Sequence, residues 1–362
     1  MKNKIRVATI FSGIGAFEQA LKKMNIEHEI ILAVDNGELS LPLSEEQIQF
    51  LTKDKTNKEK RMEINTMYEE LKKKNFVKES YLANYSVENF EYDVKYIKGS
   101  DYKDISILVG GSPCQAFSIS GKRLGFEDTR GTLFYEYARI LKEMNPKTFI
   151  YENVPGLLSH DSGRTWDVVR ATFDELGYVW KYSVLNAKHF GIPQNRRRVF
   201  VVGIRKDLAN EEFNWPEEIT LEKETKDFLE SSIENKYYHG EKGFKWTTKP
   251  MSLKKRVSIN STISRTQAAN QQFNWCGDMR FETKIPKRIQ EDARIWKGNF
   301  KDKYGVVRKL TPRECLRLMG FSDEFKIEVP DKEMYHQSGN SIVVNVLEEI
   351  MKEIIKTGVY DE

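Results

Sequence analysis

The chain of 362 residues is 39% hydrophobic, 31% charged and 12% aromatic, with only 10 Pro. This composition excludes collagen-like, mucin-like and fully disordered chains and leaves room for two cores. Net charge is only +4, but residues 235–309 hold 18 Lys and Arg against 6 Asp and Glu, a footprint expected for nucleic acid set inside an acidic body. No apolar run approaches the roughly 18 residues of a membrane-spanning helix. The opening Met1-Lys2-Asn3-Lys4 has neither the apolar core nor the cleavage site of an export signal, so the expected location is intracellular.

Val7 to Phe11 reads as a buried strand that leads into Ser12-Gly13-Ile14-Gly15. Two glycines allow a tight turn at the carboxyl end of a strand, where open α/β sheets bind ligands. The third glycine of a dinucleotide fingerprint would fall on Glu18, so the pattern favours a nucleoside-type cofactor without phosphates. Ile30 to Val34 is a second strand ending on Asp35, a carboxylate placed to accept ribose hydroxyls or simply to close the strand. Residues 44–80 are Lys/Glu-rich, helical in propensity and poor in large apolar residues, and are expected as a helical insertion on the surface. Strands follow at Ile107 to Val109, Phe149 to Tyr151, Val179 to Leu185 and Val199 to Ile204, with helices at Thr132 to Glu143 and Thr165 to Leu176. The alternation predicts a doubly wound α/β fold, and the short, wholly apolar strands suit a parallel sheet covered on both faces. From about Asp207 to Leu310 the periodicity dissolves into basic, Asn/Gln/Ser/Thr-rich sequence, which predicts a smaller, irregular second domain. Tyr237, Tyr238, Trp246, Phe273, Trp275, Trp296 and Tyr304 are interleaved with its cations. Val343, Val346, Leu347, Ile350, Met351 and Ile354 form a helical stripe expected to return to the sheet.

Cys114 follows Gly110-Gly111-Ser112-Pro113 at a strand end. A lone cysteine is more often a small buried hydrophobe, but a rigid turn at the ligand edge marks this one as a nucleophile, a setting that Cys276 and Cys315 lack. The three cysteines have no CxxC spacing, so no disulfide framework and no metal are expected. Tyr151-Glu152-Asn153 brings a carboxylate to the same edge, so a thiol and a proton donor would share one cleft. The arginines of Gln194-Asn195-Arg196-Arg197-Arg198 can orient a ring carbonyl or a phosphate, or coat the surface. Arg265, Gln267, Gln271 and Gln272 are types that pair with guanine and adenine edges. Lys254, Lys255 and Arg256 are the first candidates for phosphate contacts.

In order and spacing, the strand with Gly13 and Gly15, Pro113-Cys114-Gln115, Glu152-Asn153-Val154, Gln194-x-Arg196-x-Arg198 and Gln337-Ser338-Gly339-Asn340-Ser341 resemble the bacterial DNA cytosine-5 methyltransferase family of restriction–modification systems. The run Cys114 to Leu133, with Gly125-Phe126-Glu127-Asp128 and Thr129-Arg130-Gly131, makes the resemblance specific, and Arg308 to Cys315 is similar to the family's junction between recognition domain and core. The resemblance covers about residues 5–205 and 308–356. It implies a Rossmann-like, S-adenosylmethionine-dependent catalytic domain over 1–206 and 308–362, carrying the 44–80 insertion, and a target recognition domain over 207–307. It implies Cys114 as the nucleophile that adds to C6 of a flipped-out cytosine, Glu152 on the exocyclic amino group and N3, and Arg198 on the ring carbonyl, with Arg196 in the same catalytic group. S-adenosyl-L-methionine, leaving as S-adenosyl-L-homocysteine, would meet Phe11, Gly13, Gly15, Asp35, Asn36, Gly111, Leu133, Asn340 and Ser341. The acid beside its adenine matches Asp93 best by spacing, with Asp101 as the rival. Double-stranded DNA would meet Ser120, Arg130, Lys254, Lys255, Arg256, Arg265, Gln267, Gln271 and Gln272. The resemblance further implies a monomer without membrane attachment in the bacterial cytoplasm, held to the nucleoid through DNA, with any cognate restriction endonuclease acting separately. Ser112 departs from the pattern, standing where Phe or Pro is usual.

Three other classes fit less well. An amino-methyltransferase acting on adenine N6 or cytosine N4 would carry an acidic or polar residue and Pro-Pro-aromatic where this chain has Ser112-Pro113-Cys114-Gln115. A tRNA cytosine-5 methyltransferase shares the catalytic motifs but lacks a large basic recognition domain, whereas about 100 residues separate Arg205 from Arg308. A non-enzymatic DNA-binding relative would be expected to have lost Cys114 or Glu152, and both are present.

Overall fold

The computed structural model describes residues 4–112, 133–272 and 275–361. Two compact units are formed: Met1–Leu185 with Arg197–Glu217 and Val346–Glu362, and Asn186–Arg196 with Glu218–Asn345. The second unit is therefore longer than the 207–307 expected for a recognition domain, because it takes in a segment ahead of residue 197 and the stretch up to Asn345.

The first unit runs β1 (Ile5–Ile10), α1 (Ala16–Lys23), β2 (His28–Val34), α2 (Glu45–Leu51), α3 (Asn57–Glu69), α4 (Phe76–Asn84), β3 (Asn89–Glu91), β4 (Ile107–Gly110), α5 (Leu133–Met144), β5 (Thr148–Asn153), α6 (Arg164–Asp174), β6 (Tyr178–Asn186) and β7 (Arg197–Arg205). Its seven strands lie in the order β3-β2-β1-β4-β5-β7-β6. β1 pairs in parallel with β2 and β4, and β4 with β5. β7 corrects the wholly parallel expectation, since it runs antiparallel to β5 with Glu152 opposite Phe200. Residues 187–196, between β6 and β7, are too few for the helical crossover that a parallel return requires. The carboxyl ends of β1, β2, β4 and β5 thus share one edge with the amino end of β7.

The strand interiors are apolar, and α5 covers them with Phe134, Tyr137, Ala138 and Leu141, all buried at helical spacing. Phe149 and Phe173 stack at 5.2 Å in the same core. Each such side chain contributes roughly 1.5–3 kcal/mol on full burial.

Residues 44–80 are helical as expected, with capping boxes at Ser44/Gln47 and Thr56/Glu59 opening α2 and α3. They are not confined to the surface: Ile48, Ile64 and Tyr68 are buried with Leu39 and Tyr92. Tyr81 of α4 is fully buried and donates to the buried Glu18 carboxylate.

The second unit contains α7 (Glu241–Thr247), α8 (Pro250–Lys255), β8 (Val257–Ile259), β9 (Gly277–Glu282), α9 (Lys287–Gln290), β10 (Lys297–Phe300), β11 (Lys303–Lys309), α10 (Pro312–Arg317) and α11 (Asp331–Asn340). Where irregular sequence was expected, a four-stranded sheet forms in the order β10-β11-β9-β8. Its core holds Phe244, Val257, Met279, Phe281 and Val307. Tyr237 and Tyr238 pack into a second cluster with Ile289 and Val306, so they are interior residues rather than exposed readers. α12 (Val344–Lys356) leads back to the first unit and buries Val346, Leu347, Ile350, Met351 and Ile354, the stripe read from the sequence. Among the described residues no helix is long and apolar enough to cross a membrane.

Candidate active site

The exit from β1 is built on left-handed backbone: φ is 55° at Phe11, 54° at Gly13 and 78° at Gly15. A non-glycine residue such as Phe11 adopts that region at a cost and only where its surroundings impose it. A Cβ at Gly15 would lie 2.3 Å from the Tyr85 ring, whereas one at Gly13 would meet nothing within 4 Å among the described residues. The bare backbone at Gly13 is therefore uncrowded by them at the strand end. Gly13 N donates to Asp35 Oδ2 at 2.8 Å and Gly37 N to Oδ1 at 2.9 Å, so backbone amides orient both carboxylate oxygens. Burial raises the Asp35 pKa above the ordinary carboxylate value, and these two bonds oppose the shift.

Asn36 is half-buried and accepts from Glu38 N at 3.0 Å. Asp93 lies just past β3 and accepts from Lys95 N and from the Tyr68 hydroxyl, both at 3.0 Å. Its rival Asp101 is exposed and paired with Arg61.

At the exit of β4, a Cβ on Gly111 would come within 2.7 Å of Glu152 O and 2.9 Å of Glu152 Oε2, so only glycine fits there. The next residue is pinned. Ser112 Oγ shares a hydrogen bond with Tyr151 Oη at 2.8 Å, and Asn153 Nδ2 donates to Ser112 O at 3.1 Å. The serine that departs from the family pattern is thus bonded through its own hydroxyl. Cys114, Ser120 and Arg130 lie outside the described residues. Leu133 opens α5, half-buried against the core.

Glu152 Oε1 and Arg198 Nε are 3.0 Å apart, with side chains 13% and 16% exposed. Phe200 faces Glu152 across the ladder, so Arg198, two residues earlier, is its diagonal neighbour on the same face. The result is an ion pair at the sheet edge, touching the Gly111 turn and accessible to solvent.

A sequence profile described as C-5 cytosine-specific DNA methylase matches residues 57–356. The chain belongs to that family. The methyltransferase is 39% identical to the Type II methyltransferase M.SsoII of Shigella sonnei over 78% of this chain and 72% of that protein. It is 36% identical to M.HhaI of Haemophilus parahaemolyticus, over 76% and 83%. With the orphan methyltransferase M.SPRI of Bacillus phage SPR it shares 30% over 99% of both chains. Spodoptera frugiperda DNMT2 has the same fold, with a TM-score of 0.65 over 97% of this chain and 100% of that one, at 17% identity. The enzyme is accordingly a DNA (cytosine-5)-methyltransferase with a Rossmann-like fold.

The methyltransferase's second unit holds the remaining expected site residues. Arg196 is buried there, and its guanidinium donates to the carbonyls of Gln267 at 2.6 Å, Gly339 at 3.0 Å and Ser341 at 2.7 Å. The sequence groups it with Arg198, but its surroundings are those of a side chain that ties loops together. Ser341 is buried at that tie and Asn340 is exposed. Gln267, Gln271 and Gln272, read as facing base edges, are all buried. Gln271 Nε2 donates to Gln267 Oε1 at 3.0 Å, and Gln272 Oε1 accepts from Leu310 N at 3.3 Å. Amides spent on interior partners are not presented to a duplex. Lys254, Lys255, Arg256 and Arg265 are exposed, as phosphate or base contacts require.

Cys315 is fully buried and burial pushes its thiol pKa well above the ordinary value, which removes it as a nucleophile; Cys276 is half-buried. Sequence reasoning missed Tyr68 and Asn75. Asn75 carried a legible signal, an N-cap residue opening α4 with its side chain accepting from Lys78 N.

Proposed function

We propose that this methyltransferase transfers the methyl group of S-adenosyl-L-methionine to C5 of a flipped-out cytosine in a specific double-stranded DNA sequence, through a covalent bond between Cys114 and C6. The observation that carries the reading is the solvent-accessible Glu152–Arg198 pair beside a turn that is pinned as far as Ser112, two residues before Cys114.

The edge formed by β1, β2 and β3 suits the cofactor. Residues 11–17 carry no cation, and the nearby acids Asp35 and Asp93 would repel a phosphate, whereas an uncharged ribose and adenine supply hydroxyl and amino donors for them. Gly13 leaves room there for a ligand to approach the backbone. Bound S-adenosylmethionine supplies an electrophilic methyl group.

The chain's own residues do the rest. C5 of cytosine is a weak nucleophile, so the Cys114 thiolate forms a bond to C6 while Glu152, in its protonated form, gives its proton to N3 as negative charge builds there. Arg198 faces the ring carbonyl. The ion pair that these two side chains make with each other is exchanged for the base: Arg198 takes the ring carbonyl, and Glu152 takes up a proton as the arginine leaves it and meets the amino group and N3, so no charge is left unpartnered. C5 then takes the methyl group, its proton passes to water, N3 returns its proton to Glu152, and the S–C6 bond breaks to free the thiolate. A base inside a duplex cannot reach this edge, so flipping is required. The exposed Lys254, Lys255, Arg256 and Arg265 would supply phosphate affinity for it.

The test uses DNA with 5-fluorocytosine in place of cytosine, because fluorine at C5 cannot leave as a proton and the adduct persists. A denaturant-stable protein–DNA complex should form with the wild type and cofactor, and not with Cys114→Ala. Methylation by Cys114→Ala at a rate near wild type would remove the covalent step.

A further inference from the structure

We propose that the helical insertion is a positioning element for the cofactor edge, in which Tyr68 of α3 sets Asp93 and Asn75, ahead of α4, sets Asp35. The inference rests on the reading of that edge given above. Tyr68 stacks on Tyr92 at 5.0 Å with the rings 7° from parallel, which fixes the direction of its hydroxyl toward Asp93 Oδ2 at 3.0 Å. The Asn36 side chain is a second polar neighbour of that hydroxyl. One turn earlier, Asn65 Nδ2 donates to Glu91 Oε2 at 2.6 Å and its Oδ1 accepts from Tyr92 N at 3.2 Å. α3 therefore holds the chain at Glu91, Tyr92 and Asp93 in succession.

Asn75 is buried and donates through Nδ2 to the main-chain oxygen of Asp35 at 2.9 Å, while its Oδ1 caps α4. Gly37 makes room for it, since a Cβ there would sit 2.2 Å from Asn75 Oδ1. The two acids thus receive one tether each from the insertion. Neither is used up: a carboxylate offers about four lone-pair sites, and the bonds named for Asp93 and for Asp35 occupy two on each. A helical decoration of the surface would have no reason to send one polar side chain to the Asp93 carboxylate and another to the Asp35 main chain. Orienting them in advance lowers the ordering cost of binding, and so acts on affinity more than on the chemical step.

The decisive variant is Tyr68→Phe, which keeps the stacked ring and removes only the hydroxyl. With the full chain, the Kd for S-adenosylhomocysteine by calorimetry should rise about 3- to 10-fold, the worth of one net hydrogen bond. The KM for the cofactor should rise alongside it, with kcat and thermal midpoint essentially unchanged. On an Asp93→Asn background the same substitution should add no further loss, because Tyr68 acts through Asp93. Lys58→Ala, at an exposed position of α3, should bind as wild type. Wild-type affinity in Tyr68→Phe, or equal losses with and without Asp93, would overturn the inference while leaving the cofactor reading intact. A wild-type chain with no affinity for S-adenosylhomocysteine would overturn both.

Discussion

At the edge of the seven-stranded sheet, Glu152 and Arg198 pair across 3.0 Å and keep a small part of each side chain exposed. In the second unit Arg196, Gln267, Gln271 and Gln272 are buried, and their side chains hold main-chain atoms and one another. The antiparallel ladder of β5 and β7 supplies the backbone pairing there, so Arg198 pairs with Glu152 and, among the described residues, donates to Arg197 O alone at 2.8 Å. Arg196 and the three glutamines lie outside the second unit's strands, where carbonyls and amides have no ladder and side chains must satisfy them. A polar residue's use is therefore decided by what its backbone neighbourhood lacks, more than by its type.

The sharpest way to break this contrast is to treat the two arginines and the glutamate alike. Glu152→Gln and Arg198→Ala should each lower kcat by about 10²- to 10⁴-fold, measured by methyl incorporation, with thermal stability near wild type. Arg196→Ala should do the reverse, costing about 2–4 kcal/mol of stability by stranding three carbonyls. An Arg196→Ala protein that unfolds like wild type but cannot methylate would return that residue to the catalytic group.

Asp278 tests the second unit by pH. It accepts from Ser261 Oγ and Arg265 N, but burial dominates and raises its pKa to about 6. The folded chain then keeps, between about pH 4 and 6, a proton that the unfolded chain releases, so stability falls as pH rises through that window and levels off above it. The loss from this group should reach about 2 kcal/mol, seen as the difference between wild-type and Asp278→Asn unfolding across that range. A constant difference from pH 4 to 7 would argue against a buried, proton-holding carboxyl.

The smallest effect separates exposed from interior polar residues within the second unit. Replacing Lys254, Lys255 and Arg256 with Ala should reduce the salt slope of DNA binding by about one unit for each phosphate that is no longer neutralised. Gln271→Ala should leave the slope and the preferred sequence unchanged and cost about 1 kcal/mol of stability. An altered sequence preference in Gln271→Ala would restore it as a base reader.

The expectations from sequence divide along the same line. Six strands of the sheet were legible because each is a run of apolar residues, while β3, Asn-Phe-Glu, offers no such run and is recognisable only by its pairing with Leu32 to Val34. Gly13, Gly15, Asp35, Gly111 and Glu152 were legible as strand-end positions, where a spacing argument applies. Arg196 and Arg198 are indistinguishable by type, and only the ladder register and the carbonyls around Arg196 separate them. The insertion read as surface because its apolar residues are sparse, yet Ile64 and Tyr68, one helical turn apart, are enough to bury one face of α3.

The second unit is drawn from two stretches of chain with β7 between them, and its first stretch is tied to the rest by name. Gln194 donates to Leu318 O at 2.7 Å and accepts from Gln267 N at 3.0 Å, and Arg308 pairs with Glu314 in the interior. The second unit is therefore not a cassette. A transplant cut at 207 and 307 would bring Gln267 without its acceptor, leave Arg196 facing a foreign loop, and divide the unit just ahead of Arg308. Exchange between relatives would have to carry residues 186–196 and 218–345 together, so this unit should change by substitution within it more readily than by wholesale swapping.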